Sequence, residues 1–174
     1  MSNVLDRTER LRANMTLENL FSIITENEDA VAAHYIRDGE EKSITYGDYR
    51  RRSFAAAAYL SEALGTEKRG SFIGIQQDTC PEWFSLFFGV ICAGYNAILL
   101  DFTLSDEMTE YLLREAGAIG LISKAHRAIS GEYRQFTVKE LLDAPDAPDY
   151  KPVFGDMVAL CSQRRIRGGH QDPD

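Results

Sequence analysis

The side chains best suited to proton transfer or metal ligation are His34, His126 and His170, and they lie far apart in the sequence. None sits beside a Gly-x-Ser-x-Gly turn or a cysteine motif, so local spacing assembles no nucleophile–base pair. Each reads as a surface or half-buried histidine. The clustered carboxylates, Glu40 with Glu41 and Asp106 with Glu107 and Glu110, fall in a turn and at a helix start. Solvation and helix capping account for them there. Gly65, Gly70 and Gly74 do not space into a dinucleotide fingerprint, and the strand after Gly70 leads into the wrong kind of turn. Cys80, Cys92 and Cys161 are odd in number and lack metal-ligand spacing, which reads as free, mostly buried thiols in a reducing cytoplasm. Trp83 and the phenylalanines beside it have the chemistry to line an acyl pocket, although aromatics at helical spacing more often fill a core. From side chains alone, no catalytic, cofactor-binding or metal residue is expected.

The elements that must carry these side chains follow a clear pattern. Residues 1–15 are polar and charged and read as a surface arm or frayed helix. Thr16 caps a short helix to Asn27 that places Leu17, Leu20, Phe21 and Ile24 at helical spacing. Runs 31–36 and 42–45 flank Asp38-Gly39, a turn pair that favours a β-hairpin. Thr45 and Asp48 form a box-like cap, with Ile44 and Tyr49 placed as a hydrophobic staple. The helix behind it presents Tyr49, Phe54, Ala57, Leu60 and Leu64 on one stripe and ends at Gly65.

From residue 71 the order becomes strand, helix, strand, helix, strand. Thr79-Cys-Pro-Glu82 reads as a capping box with proline in the first turn, ahead of a helix that is apolar nearly all round. Ser105 caps the next helix, with Asp106 and Glu107 favourable against its dipole, and Gly117 closes it. A strand over 133–138, a short helix over 139–142 and a last buried strand over 156–160 complete the pattern. The expected fold is α/β: a mostly parallel sheet with helices on both faces, built from βα units and preceded by a short helix and a hairpin.

Composition bounds the function. A chain of 174 residues can bury a real core. A net charge of −8 argues against a nucleic-acid or anionic-membrane surface. No secretory signal is visible. The longest apolar run, 83–93, is far shorter than the roughly 20 residues that span a bilayer.

Three segments in order, Ile-Thr-Tyr-Gly-Asp-Tyr (44–49), Cys-Pro-Glu-Trp-Phe (80–84) and Ala-Gly-Tyr-Asn-Ala (93–97), carry a resemblance. With the region from Leu17 to Leu160, and most strongly from Ile44 to Lys124, the chain resembles the N-terminal part of the AMP-forming acyl-CoA synthetases. Those are adenylate-forming ligases, a superfamily that includes luciferases and peptide-synthetase adenylation domains. Leu99 to Thr103 departs from the proline-containing segment of many relatives, which leaves the subfamily open. The resemblance implies a parent that uses ATP, Mg²⁺ and CoA to activate a carboxylic acid, first as an acyl-adenylate and then as a thioester. It implies that the family's functional residues lie beyond the last family-like strand, so none transfers to a position here.

After Leu160 the resembled family runs into a Ser/Thr/Gly-rich loop ending in lysine, which holds phosphates through backbone N–H groups. Here 162–174 has no apolar periodicity, and Arg164, Arg165 and Arg167 crowd together. Codons able to encode Gln163 to Pro173, read one nucleotide later, can encode Ser-Gly-x-Ser-Gly-Gly-x-Thr-Lys-x-Pro. A shifted frame or altered terminus is therefore placed ahead of a native solvated tail, and an Arg164–Arg167 nucleic-acid contact behind both. The expected organisation is an arm over 1–15, an AMP-binding ligase subdomain over 16–161 and a non-family tail over 162–174. The expected function is a cytoplasmic ligase fragment, inactive alone, binding no cofactor by itself and prone to self-association through exposed apolar surface. The alternative is a free-standing, non-catalytic α/β binding or assembly module.

Overall fold

The computed structural model describes residues 3–161; the tail over 162–174, with Arg164, Arg165, Arg167 and His170, lies outside them. Helix α1 (Asn3–Ala13) takes the helical of the two forms expected of the N-terminal stretch. Glu26 holds it, accepting from Arg7 Nε at 2.7 Å and from Arg10 at 2.8 Å. Helix α2 (Leu17–Thr25) is capped by Thr16, whose side chain accepts from Asn19 N.

Strands β1 (Val31–Arg37) and β2 (Glu40–Thr45) form the antiparallel hairpin, with Arg37 opposite Glu40 across the two-residue turn. Asp38 (φ 56°) and Gly39 (φ 79°) both adopt the left-handed conformation that such a turn requires. Helix α3 (Tyr46–Leu64) starts on the expected box: Thr45 Oγ1 accepts from Asp48 N, and the Asp48 carboxylate accepts from Thr45 N. Burial of Asp48 opposes its ionisation, but these bonds and Arg51 outweigh it and hold the carboxyl below its usual range.

The main sheet follows: β3 (Phe72–Gln76), β4 (Asn96–Leu100), β5 (Ala118–Ser123), β6 (Arg134–Thr137) and β7 (Val158–Cys161). Its five strands lie in the order β6-β5-β3-β4-β7, and each neighbouring pair is parallel. Side chains alternate with period two between the faces. Ile73, Ile75, Ala97 and Ile122 point into the larger core beneath α2, α3, α4 (Trp83–Cys92) and α6 (Val138–Leu142). Ile98, Leu100 and Leu121 point to the other face, beneath Leu113 of α5 (Asp106–Glu115). Both faces are covered, as the near-continuous apolar strands require.

One expectation needs correction. The capping box at Thr79–Glu82 does not form: α4 begins at Trp83, and its N-cap, Glu82, makes no side-chain cap bond. The Glu82 carboxylate is only 3% exposed and turns instead to Arg37 of the hairpin, 2.8 Å away, while Tyr49 Oη donates to Pro81 O at 2.9 Å. A buried carboxylate gains more from a guanidinium than from a helix-terminal N–H. The apolar helix α4 is covered from within the chain: Leu86, Phe88, Val90 and Ile91 are buried in the core that it shares with α2 and α3. Gly89 lets α4 approach α3, where an added Cβ would stand 2.7 Å from that of Ala56.

Candidate functional site

In an open parallel sheet, ligands bind beyond the carboxyl ends of the strands, where neighbouring connections leave in opposite directions. Strands β3 and β5 meet that condition. They are adjacent, but the chain leaving β3 returns in β4 on one side and the chain leaving β5 returns in β6 on the other. A cleft of about 570 Å³ opens there, walled by Gln76, Gln77 and Asp78 after β3, by Ser123 to Arg127 after β5, and by Phe102 after β4.

Its walls are held from within the chain. Gln76 is 3% exposed. Its Nε2 donates to Thr109 Oγ1 at 2.9 Å and to the carbonyls of Asp101 and Leu104 at 3.3 and 3.4 Å. That ties the 101–104 loop to the end of β3. Asp101 accepts from Thr103 N and Oγ1, bonds that hold its carboxyl below the ordinary range. On the opposite wall, Arg127 donates to Asp106 Oδ1 at 2.5 Å and to Leu104 O at 2.7 Å. Gln135 and Arg127 exchange two bonds through the Arg127 backbone. Ser130 donates twice to Glu110, through its N–H and its hydroxyl, which lowers the Glu110 pKa. Asp106 and Glu110 therefore staple the loop after β5, beyond the capping and solvation expected of them.

Three features remain for a ligand. The side-chain oxygens of Gln76 and Gln77 are buried without a partner among the described residues. Such an acceptor costs about 1–3 kcal/mol if nothing donates to it. Lys124 is exposed on the rim and forms no ion pair among the described residues. Phe102, 52% exposed, offers an aromatic face. Arg127 is already engaged by Asp106, and His126 stands 3.9 Å from Glu140. The cleft thus suits a polar molecule that combines an anion, a planar ring and a hydrogen-bond donor. No group of three or more metal-ligating side chains occurs among the described residues.

The sequence reading did not single out Gln76, Gln77 or Lys124. One signal was present: two glutamines directly follow the apolar run Phe72–Ile75, placing amides where a buried strand ends. The residues it did weigh are dispersed. His34 sits on the hairpin 3.7 Å from Glu41, far along the chain from His126. Trp83 stacks on Phe87 with ring centroids 5.4 Å apart, as part of the core. Cys92 is buried and Cys80 half-buried; burial pushes both thiols up, away from the reactive thiolate.

The family described as AMP-binding enzyme matches residues 21–166. No curated protein matches the chain in sequence. The structure of Klebsiella oxytoca NpsA in complex with 3-hydroxyanthranilyl-AMSN is similar, with a TM-score of 0.66 at 18% identity over 83% of this chain and 30% of that one. The NpsA N-terminal subdomain in complex with 3-hydroxybenzoyl-AMSN superposes at a TM-score of 0.68 with 20% identity, over 83% of this chain and 36% of that one. The alpha-methyl-L-serine-AMP bound form of FmoA3, a nonribosomal peptide synthetase, gives 0.66 at 20% identity over 92% and 19% of the two chains. At these identities the likeness is one of fold. The chain spans about a third or less of the length of these structures.

Proposed function

The chain belongs to the AMP-binding enzyme family, and from that membership we propose that it is N-terminal subdomain material of an ATP-dependent carboxylate–CoA ligase. In this reading residues 1–15 are an arm, 16–161 the subdomain and 162–174 a tail outside the family pattern. The longer enzyme joins a carboxylate to the α-phosphate of ATP, releasing pyrophosphate; the CoA thiol then displaces AMP from the acyl-adenylate. Mg²⁺ would supply charge neutralisation on the phosphates. The described residues present no ligand cluster for it. The 174-residue chain by itself is expected not to activate a carboxylate; the sequence alone led to the expectation that it binds no cofactor, and the cleft is the ground for proposing CoA binding in its place. Cytoplasmic location and self-association belong to the same proposal; no helix of the described residues is long and apolar enough to cross a membrane.

The observation that carries the CoA reading is the switch-point cleft, with Lys124 on its rim and Phe102 beside it. CoA is a phosphate-rich adenine nucleotide joined to a thiol arm, and the cleft offers one cation outside an ion pair, Lys124, and one aromatic face, Phe102, with the Asp78 carboxylate on the wall after β3. A calorimetric titration of CoA into the chain tests this. Binding is expected to weaken about tenfold in Lys124→Ala, since a charge-assisted bond contributes roughly 1.5–3 kcal/mol, and to weaken as salt rises. Absence of CoA binding, or binding indifferent to Lys124, would contradict it. All residues that line the cleft fall within 76–127, which also favours the reading of a non-catalytic binding module; carboxylate-dependent chemistry separates the two.

A further inference from the structure

We propose that the chain pairs with a second copy of itself, helix α1 of each copy seating in a groove that α1 and α2 of the other border. The proposal rests on the self-association named above and identifies its surface. It does not depend on CoA, since the groove and the switch-point cleft share no lining residue. The groove has a volume of about 420 Å³ and is walled by Leu11 and Met15, by Leu17 and Leu20 of α2, and by Phe154. The carboxylates of Glu18 and Asp156 also line it. Both residues are exposed, and neither forms an ion pair among the described residues.

Helix α1 carries the complement. Glu26 ties it down through Arg7 and Arg10, yet Val4 and Leu5 stay 73% and 75% exposed, and Met15 just beyond the helix is 79% exposed. Large apolar side chains grouped in this way mark an interaction surface. Arg12 lies among them in the sequence, exposed and outside any ion pair among the described residues. One stretch thus offers apolar side chains and a free cation, and the groove offers apolar walls and two free carboxylates. Helix α1 cannot fill the groove of its own chain, because Leu11 and Met15 already form part of the wall. A second copy can. Leu11 and Met15 belong to the helix end and to the groove alike, so the patch is self-complementary and the assembly closes as a twofold dimer. In that dimer Arg12 of each copy meets Glu18 and Asp156 of the other.

Sedimentation equilibrium of the 174-residue chain tests the proposal, run on wild type, Arg12→Glu and the double variant Glu18→Arg/Asp156→Arg. Wild type is expected to follow a monomer–dimer equilibrium. Each variant sets like charges against one another in its own dimer, which should dissociate at least tenfold more readily. An equimolar mixture of the two variants restores opposite charges at both contacts and should recover most of the lost affinity. A wild-type dimer that both variants leave intact, or a mixture no tighter than either variant alone, would overturn this surface and leave self-association standing. A chain that stays monomeric at every concentration would sink self-association and this proposal with it. Growth past two copies would overturn the closed pairing. Hydrogen exchange on wild type covers the case in which a variant fails to fold. On dilution from dimer to monomer, protection should fall in α1 and at the start of α2. A fall confined to other segments would overturn the proposal.

Discussion

Replacing Phe88 by alanine is expected to lower the stability of the chain by about 3–5 kcal/mol, the range for deleting a fully buried phenylalanine. Phe88 is 3% exposed and lies at the centre of an aromatic cluster. Its ring centroid is 4.8 Å from that of Phe21, 4.6 Å from Phe84 and 4.9 Å from Phe87. Those partners come from α2 and α4, whose backbones are fixed by their own hydrogen bonds, so the hole left behind closes only in part. The loss exceeds simple transfer energy for that reason. With a urea slope of about 2 kcal/mol per molar, the unfolding midpoint should fall by roughly 2 M with the slope unchanged. A shift under about 0.5 M would mean that α4 is not packed as described.

Gly155→Ala is expected to cost about 3 kcal/mol, at the upper end for overpacking. A Cβ at Gly155 would fall inside the van der Waals shell of the Tyr95 carbonyl oxygen and its carbon. Both are backbone atoms, so no rotamer change relieves the clash. The same step would break the bond from Gly155 N to Ile91 O (2.8 Å) and strain that from Val153 N to Cys92 O (3.0 Å). Those two bonds dock the 150–156 segment on the end of α4 and aim the chain into β7. Hydrogen exchange should therefore quicken most at Ala97, whose N–H bonds to Met157 O. Unchanged protection there would contradict the docking.

Much of the fold was legible because its signals are local. Asp38-Gly39 supplies the positive φ of a tight hairpin, Thr45 and Asp48 satisfy each other's backbone, and Ser105 and Gly117 delimit α5. Strand order was not legible. That β5 crosses to the far side of β3 while β7 returns beside β4 depends on which faces the helices cover, and no short window encodes it. Thr79 was misread as a cap because Glu82 is bound by Arg37, 45 positions earlier in the chain. The cleft was missed for the same reason. Gln76, Phe102 and Lys124 are separated in sequence, and only the parallel register of β3 against β5, with Gln76 opposite Ser123, brings the two outer segments together. The family resemblance named a reaction but pointed past this chain for its residues; the cleft at the switch point of the sheet lies inside it.

The most direct test is carboxylate-dependent exchange of labelled pyrophosphate into ATP by the 174-residue chain, run with a panel of carboxylic acids. Exchange reports acyl-adenylate formation alone, whether or not CoA binds. The expected result is exchange no greater than in a protein-free control for every acid. Robust exchange with any acid would contradict the reading of this chain as a part that binds without activating a carboxylate.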